Sequence, residues 1–349
     1  MSDQMRAGIR RDCLDAAVDQ SYVISQLSNK KIAITGGTGF LGSWLAEMII
    51  VLNEEFGANV ALDIFSRDVE NWQKKYTHFS GCKAINCINQ DIRSSINFSS
   101  DTAFIIHAAG SPSSSIHASD SLGVVKTILG IENVLLAGEK LTSLERFINV
   151  SSCFVDGKNN SDGLKESDWS PMSAGGLDFI YCNAKRMAET FCSIYESSFR
   201  LPISTVRPFT FTGPYQSIKN PWAINNFIYD ALNGNDIKIG GDGTAIRSYL
   251  YGSDAAFWTL ASLIRGKNGA VYNLGGANPI THNCLASIIQ EQSPNIVKVR
   301  NNTLCSQEGK VHDLFPDVRN TMAVLGVKET RTIEQAIRFT MDWFSIVQR

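Results

Sequence analysis

Residues 31–44, KIAITGGTGFLGSW, restrict the fold of this chain more than any other stretch. The apolar run 32–35 reads as a buried β-strand. Gly36, Gly39 and Gly42 follow at GxxGxxG spacing, and a helical run follows them. Glycine is needed where the chain turns tightly and where a Cβ would bar a pyrophosphate, and Gly42 lets the helix pack close to the strand. The free N–H groups and the positive dipole end of the helix then face the phosphates. A merely flexible loop is the bland alternative; a strand before and a helix after distinguish dinucleotide binding from it.

The 349 residues, 44% of them apolar, can bury the core of one large or two moderate domains. A formal charge of −2 and a pI near 6.2 leave no electrostatic footprint for nucleic acid or an anionic membrane. No apolar run is expected to reach the ~20 residues of a membrane span. Asp3, Asp12, Asp15 and Asp19 interrupt the N-terminus where a signal peptide needs an apolar stretch. The eight cysteines show no CxxC pair and no Cys/His grouping at zinc-ligand spacing. That pattern implies reduced thiols in a cytoplasmic protein and no metal.

Residues 1–29 are polar, with Ile9, Leu14, Val18, Tyr22 and Leu27 at roughly helical spacing, which predicts an N-terminal helical extension that packs on the rest or stabilises a dimer. Strands are expected at 59–65, 84–88, 103–107, 146–150 and 203–207. Helices are expected up to about residue 56, from about 120 to 141, and from about 181 to 199. This alternation predicts a Rossmann-type α/β domain over 30–207, a doubly wound parallel sheet with helices on both faces. Gly, Ser, Asp and Pro gathered in 156–176 read as a loop near the site. From Pro208 the alternation breaks, predicting a smaller mixed substrate lobe over 208–349. A return segment at about 246–274 includes a strand, 270–274, that rejoins the main sheet.

Tyr181-Cys182-Asn183-Ala184-Lys185 places a phenol and an ammonium on one face at a helix start. The ammonium can lower the phenol pKa, so that a phenolate takes a proton from a hydroxyl near neutral pH. An exposed helix pair is the alternative. Ser151 and Ser152 end a predicted parallel strand, where ligands bind in open α/β sheets, and Ser152 can donate to the oxygen being interconverted or simply cap a turn. Cys153 beside it is either an acid/base or a small buried residue, and strand alternation turns it away from the Ser152 side chain. For the cofactor, Asp63 lies at the distance that favours NAD, whereas Ser66 and Arg67 at the strand's end suit the extra phosphate of NADP. The balance favours NADP.

TGGTGFLG, HAAG, VSS, VDG, YCNAK, RPFTFTGPY and GDGTAIRSYLYGSD occur in that order. Together they resemble the extended short-chain dehydrogenase/reductase family, within it the NAD-dependent epimerase/dehydratase group acting on nucleotide sugars. The resemblance runs from residue 31 to the C-terminus. It implies Tyr181 as catalytic base, Lys185 as its partner and ribose ligand, and Ser152 as hydroxyl donor. It implies cofactor contacts from Gly36, Gly39, Phe40, Leu41, Gly42, Ser66 and Arg67, from Asp91 and Ile92 at the adenine, and from His107, Ala108 and Ala109. Substrate contacts implied are Arg247 at the diphosphate, apt as a bidentate ligand, Asn226 near the phosphates, and Ser111, Cys153 and Thr210. Tyr251 and Asp254 fall in a segment read as structural.

SPSSS, KTILGIENVL and GDGTAIRSYLY are locally similar to UDP-glucuronate decarboxylases. Those enzymes and many 4,6-dehydratases carry a carboxylate where this chain has Phe154, and the dehydratases commonly have another acid at Cys153. Asp156 and Thr210 also depart from the usual tyrosine and asparagine. Phenylalanine cannot move a proton. The expected activity is therefore a nucleotide-sugar epimerase, at C4, working through a transient 4-keto sugar with bound NAD(P). The alternatives are an NAD(P)H-dependent 4-keto sugar reductase, an atypical dehydratase or decarboxylase, and an idle NAD(P)-sensing protein on the same fold. Family likeness also implies a homodimer through the 120–141 and 181–199 helices, where Met187, Phe191 and Ile194 form an apolar stripe. Burial inside one copy would explain that stripe as well.

Overall fold

Seven parallel strands form the central sheet of the computed structural model, which describes residues 3–110, 121–155, 162–168, 179–301 and 313–347. Two helices, α1 (Asp3–Ala17) and α2 (Ser21–Leu27), lead into β1 (Lys31–Thr35), and α3 (Phe40–Phe56) follows the glycine turn. Then come β2 (Ala61–Ser66), α4 (Val69–Lys75), β3 (Ile85–Asn89) and β4 (Thr102–His107). The chain continues through α5 (Ser121–Leu129), α6 (Ile131–Glu139), β5 (Arg146–Val150), α7 (Ile180–Phe199) and β6 (Ile203–Pro208).

β1 sits inside the sheet, with β2 on one side and β4 on the other, Thr35 pairing with both Phe65 and His107. All six residues of β4 are buried, as expected for a strand covered by helices on both faces. Chain order reverses between β1 and β4, the switch point beside which ligands bind in such sheets.

The helix expected over 120–141 is divided. At Gly130 the backbone flattens to ψ −10, and a Cβ there would lie 3.1 Å from Ile92, so the chain passes this point pressed against the loop after β3. Ser121–Glu139 is, by length and composition, long and apolar enough to cross a membrane, which corrects the expectation that no run reaches that length. Less than half of it is buried, and α5 and α6 both pack on α7.

After β6 come β7 (Thr210–Thr212), α8 (Ala223–Leu232), β8 (Ile237–Ile239), β9 (Ile246–Arg247) and β10 (Tyr249–Tyr251). Helix α9 (Gly252–Arg265) then returns behind the sheet and β11 (Val271–Leu274) pairs with β6, completing the seven strands. The last elements are β12 (Ile280–Thr281), α10 (His282–Gln292), β13 (Val299–Asn301), α11 (Arg319–Leu325) and α12 (Ile333–Val347). Short two-stranded pairs, β7–β10, β9–β12 and β8–β13, replace an extended sheet in this part.

The N-terminal helices are part of the core. Ile9, Cys13, Ala17, Val23 and Leu27 are buried, with α1 against α3 and α9. Each large aliphatic among them contributes roughly 1.5–3 kcal/mol by leaving water. Tyr251 donates to Asp12 at 2.8 Å, and Arg331 donates to both Asp12 and Asp15 at 2.6 Å. Met187, Ile194 and Phe199 of α7, Leu122 of α5 and Leu136 of α6 are exposed large apolar residues.

Candidate active site

One cavity of about 770 Å³ runs along the carboxyl ends of the strands, within the ~300–1,000 Å³ usual for small-molecule sites. Gly36, Gly39, Phe40, Leu41 and Gly42 line one end. Gly36 has φ +72, and a Cβ on it would lie 2.7 Å from Ala109, so β1 and the loop after β4 approach closely only because it has none. A Cβ on Gly42 would lie 2.2 Å from the Gly37 carbonyl oxygen. The close contact that Gly42 permits is thus between the helix and its own entering turn. Gly39, at the N-cap of α3, offers no side-chain cap, so the orphan N–H groups of the first turn face the cavity.

Ser66 and Arg67 line the cavity at the end of β2, and the Ser66 hydroxyl bonds Thr38 at 2.7 Å. Asp63 is buried inside the strand and accepts from Asn86 at 3.0 Å, so its carboxylate does not reach the cavity wall. Asp91 and Ile92 line the wall beyond β3. The Asp91 carboxylate is clamped by Arg93, with Nε at 2.9 Å, and that bond holds its pKa below the usual carboxylate range.

Ala108 and Ala109 line the cavity, but His107 does not. As the last residue of β4 it turns inward, 2% exposed, with Nδ1 2.8 Å from the Thr35 hydroxyl. Burial pushes its pKa down to about 3, so the imidazole is a neutral sheet residue, correcting its expected place on the cofactor.

Ser152, Tyr181 and Lys185 all meet at the cavity. β5 ends just before Ser152, while the first turns of α7 bring Tyr181 and Lys185 to the same wall. Lys185 Nζ donates to the Val150 carbonyl at 2.9 Å, and burial pushes its pKa down to about 8. Tyr181 moves opposite to the sequence expectation: burial raises its pKa to about 12, against a smaller lowering by the hydrogen bond with Ser152. Desolvation of the phenol, the largest influence on it, outweighs that hydrogen bond.

Phe154 stands edge-on to Tyr181, ring centroids 6.3 Å apart, while Cys153 is buried beside Leu164 and Phe209. Thr210 and Arg247 also line the cavity, and Arg247 Nη1 donates to the Ile246 carbonyl at 2.7 Å. Asn226 lies on the exposed face of α8, outside the cavity lining, because Ile224, Phe227 and Ile228 take the buried phase of that helix. Ser111 and nearly all of the 156–176 loop lie outside the described residues. Sequence reasoning missed Thr38, Gln90, Trp222, Tyr249, His282 and Leu314 on the wall. Thr38, Gln90, Trp222 and Leu314 come from loops, Tyr249 from a three-residue strand and His282 from the first position of a helix, none of which carries a periodic signal.

The residues fit a nicotinamide dinucleotide: a switch-point cavity, a glycine turn that admits backbone close to the ligand, and free N–H groups for its phosphates. Fold and site together define a Rossmann-type protein with a serine–tyrosine–lysine constellation beside a dinucleotide cradle. Residues 32–275 match the model of the NAD dependent epimerase/dehydratase family, and the chain belongs to that family as an NAD-dependent enzyme of the epimerase/dehydratase type. Among curated relatives, UDP-glucuronic acid decarboxylase 1 of Danio rerio is 26% identical over 95% of this chain and 78% of its own length. Among solved structures, UDP-glucuronic acid 4-epimerase of Bacillus cereus in complex with NAD is similar at a TM-score of 0.76 and 22% identity, covering 91% of this chain and 100% of that one. UDP-N-acetylglucosamine 4-epimerase of Methanobrevibacter ruminantium M1 gives a TM-score of 0.77 at 22% identity, with 92% and 100% covered. At that identity, the structural likeness speaks for the fold.

Proposed function

We propose that this chain is a nucleotide-sugar 4-epimerase. The carrying observation is the company Tyr181 keeps. Ser152 and Lys185 flank it, Phe154 closes one side, and the one carboxylate among the described cavity-lining residues, Asp91, is four strand positions away and clamped by Arg93. Tyr181 removes the proton from the sugar 4-hydroxyl, Ser152 donates to that oxygen, and Lys185 stabilises the phenolate. The bound nicotinamide cofactor supplies the hydride acceptor and donor at carbon 4. Elimination or decarboxylation needs a further acid/base beside the 4-keto sugar, and Phe154 offers none. A dry, apolar flank instead protects a keto sugar until hydride returns to its other face. The fold shared with solved 4-epimerases supports this choice, and the curated decarboxylase relatives favour a nucleotide-sugar substrate.

Arg67 and Ser66 at the end of β2, with Asp63 turned into the sheet, support NADP as the cofactor form. They also favour a second reaction, reduction of a 4-keto nucleotide sugar by exchangeable NADPH. The exposed apolar residues Met187, Ile194 and Phe199 support a homodimer through α7 and the α5–α6 pair.

Proton NMR of the purified enzyme in D2O with UDP-, dTDP-, GDP- and CDP-sugars tests the reaction. A stereoisomer without deuterium at carbon 4, formed with no added cofactor, is expected. A deuterated 4-keto product would refute epimerisation in favour of elimination. Turnover only of 4-keto sugars with NADPH would establish the reductase.

A further inference from the structure

Part of the cavity wall is built on the antiparallel pair β9–β12, which sets Arg247 opposite Ile280 and Ile246 opposite Thr281. His282 is the next residue, the first of α10, and both Arg247 and His282 line the cavity with Tyr249 and Leu314. The backbone N–H groups of that helix start are already used. His282 N donates to Ala245 O at 3.0 Å, Asn283 N to Gly243 O at 3.0 Å, and Cys284 N to the Thr281 hydroxyl at 3.1 Å. What α10 offers the cavity is therefore the imidazole, set edge-on to Phe227 at 6.1 Å. Among the described lining residues, the other groups able to carry positive charge, Arg67 and Lys185, lie on the sheet side.

A nucleotide-sugar diphosphate brings two negative charges to this wall, and one guanidinium balances one of them. We propose that His282 is the second ligand of the substrate diphosphate, beside Arg247, and that it binds as the imidazolium, so the substrate takes up one proton as it docks. The proton comes from solvent and no substrate bond changes. The proposal rests on the nucleotide-sugar reading above.

Before substrate arrives the imidazole is held neutral, because burial and the neighbouring Arg247 charge both lower its pKa below 6.5. Asp313, behind β9, accepts from Ile246 N at 2.8 Å, and Asp242, before β9, is engaged by Thr244 at 2.7 Å. Arg300 of β13 is paired with Asp236, α8 presents the Phe227 ring, and the first turn of α10 holds no acid. An arriving diphosphate reverses the balance by placing negative charge against the ring, and the imidazole pKa rises. Between the low free value and the raised bound value, affinity falls as pH rises, by up to about tenfold per pH unit for one linked proton, and levels off above.

Isothermal titration of the cofactor-loaded enzyme with UDP-glucose and dTDP-glucose tests this, since neither diphosphate diester titrates near neutrality. Measurements at pH 6.5–8 in PIPES, HEPES and Tris, which differ in ionisation enthalpy, count the protons exchanged. Uptake approaching one proton is expected for the wild type, and almost none for His282→Gln, which keeps a donor but cannot be charged. The variant should bind about tenfold more weakly at pH 6.5 and nearly as well as wild type at pH 8. Binding without proton uptake, or equal uptake in both proteins, would overturn the role of His282 alone. Failure of the wild type to bind any nucleotide sugar would overturn it together with the nucleotide-sugar reading. The wild-type proton count decides the question even where the variant folds poorly.

Discussion

Replacing Lys185 with Met should abolish turnover and, at the same time, flatten the pH dependence of stability. Lys185 is 6% exposed, and burial lowers its ammonium pKa from 10.5 to about 8. The folded chain therefore holds this proton less tightly than the unfolded chain does. Between pH 8 and 10.5 the unfolded state binds more protons, so stability rises with pH across that window, and below pH 8 the full cost of the buried charge stands. At about 1.36 kcal/mol per pH unit, the difference between 10.5 and about 8 comes to roughly 3 kcal/mol. The portion regained between pH 7 and 9.5 is about 2 kcal/mol. Urea unfolding followed by tryptophan fluorescence at both pH values, on wild type and Lys185→Met, reads that portion as a difference of differences, which cancels every other titrating group. Parallel pH dependence in the two proteins would show that Lys185 carries no such penalty. Saturating cofactor should shrink the wild-type slope, because ribose hydroxyls would give the ammonium partners beyond the single Val150 carbonyl it holds.

Gly42→Ala, whose Cβ would lie 2.2 Å from the Gly37 carbonyl oxygen, should lower the melting temperature and weaken cofactor binding; near-normal cofactor titration would refute the close-packing argument. Arg67→Ala should weaken NADP binding by about 10- to 100-fold, the worth of a hydrogen bond to a charged group, and leave NAD binding nearly unchanged. Equal losses for both cofactors would contradict the NADP assignment. Met187→Glu combined with Ile194→Glu should leave the fold intact, since both side chains are exposed, and should convert a dimer to monomer in sedimentation velocity; an unchanged mass would exclude α7 as the interface.

The parts of the site that sequence made legible are those where a residue type is a steric or chemical necessity. Gly36 and Gly42 are such cases, since any Cβ would strike backbone. The i,i+4 pair Tyr181 and Lys185 is another, because helix geometry alone delivers both side chains to one wall. His107 was misplaced because β4 is buried throughout, and a strand apolar on both faces gives no alternation from which to read a side chain's direction. Asn226 could have been placed correctly, because Ile224, Phe227, Ile228 and Ala231 define the buried stripe of α8 and leave position 226 outside it. The upward shift of Tyr181 was beyond the sequence, since desolvation depends on what surrounds the ring and not on its spacing from Lys185. His282 was equally hidden. It reaches Arg247 through two two-residue strands whose pairing no local pattern announces.

The N-terminal helices join parts of the chain that lie far apart in sequence. Asp12 on α1 is shared by Tyr251, at the end of β10, and by Arg331, just before α12, while Gln20 Nε2 reaches the Gly326 carbonyl at 2.9 Å and Lys328 pairs with Asp19 at 2.9 Å. Segments from the first helices, from the end of β10 and from the last tenth of the chain are thus tied together by these contacts. Thermal unfolding is therefore expected as one cooperative event, with the loss of the first helix felt at the last.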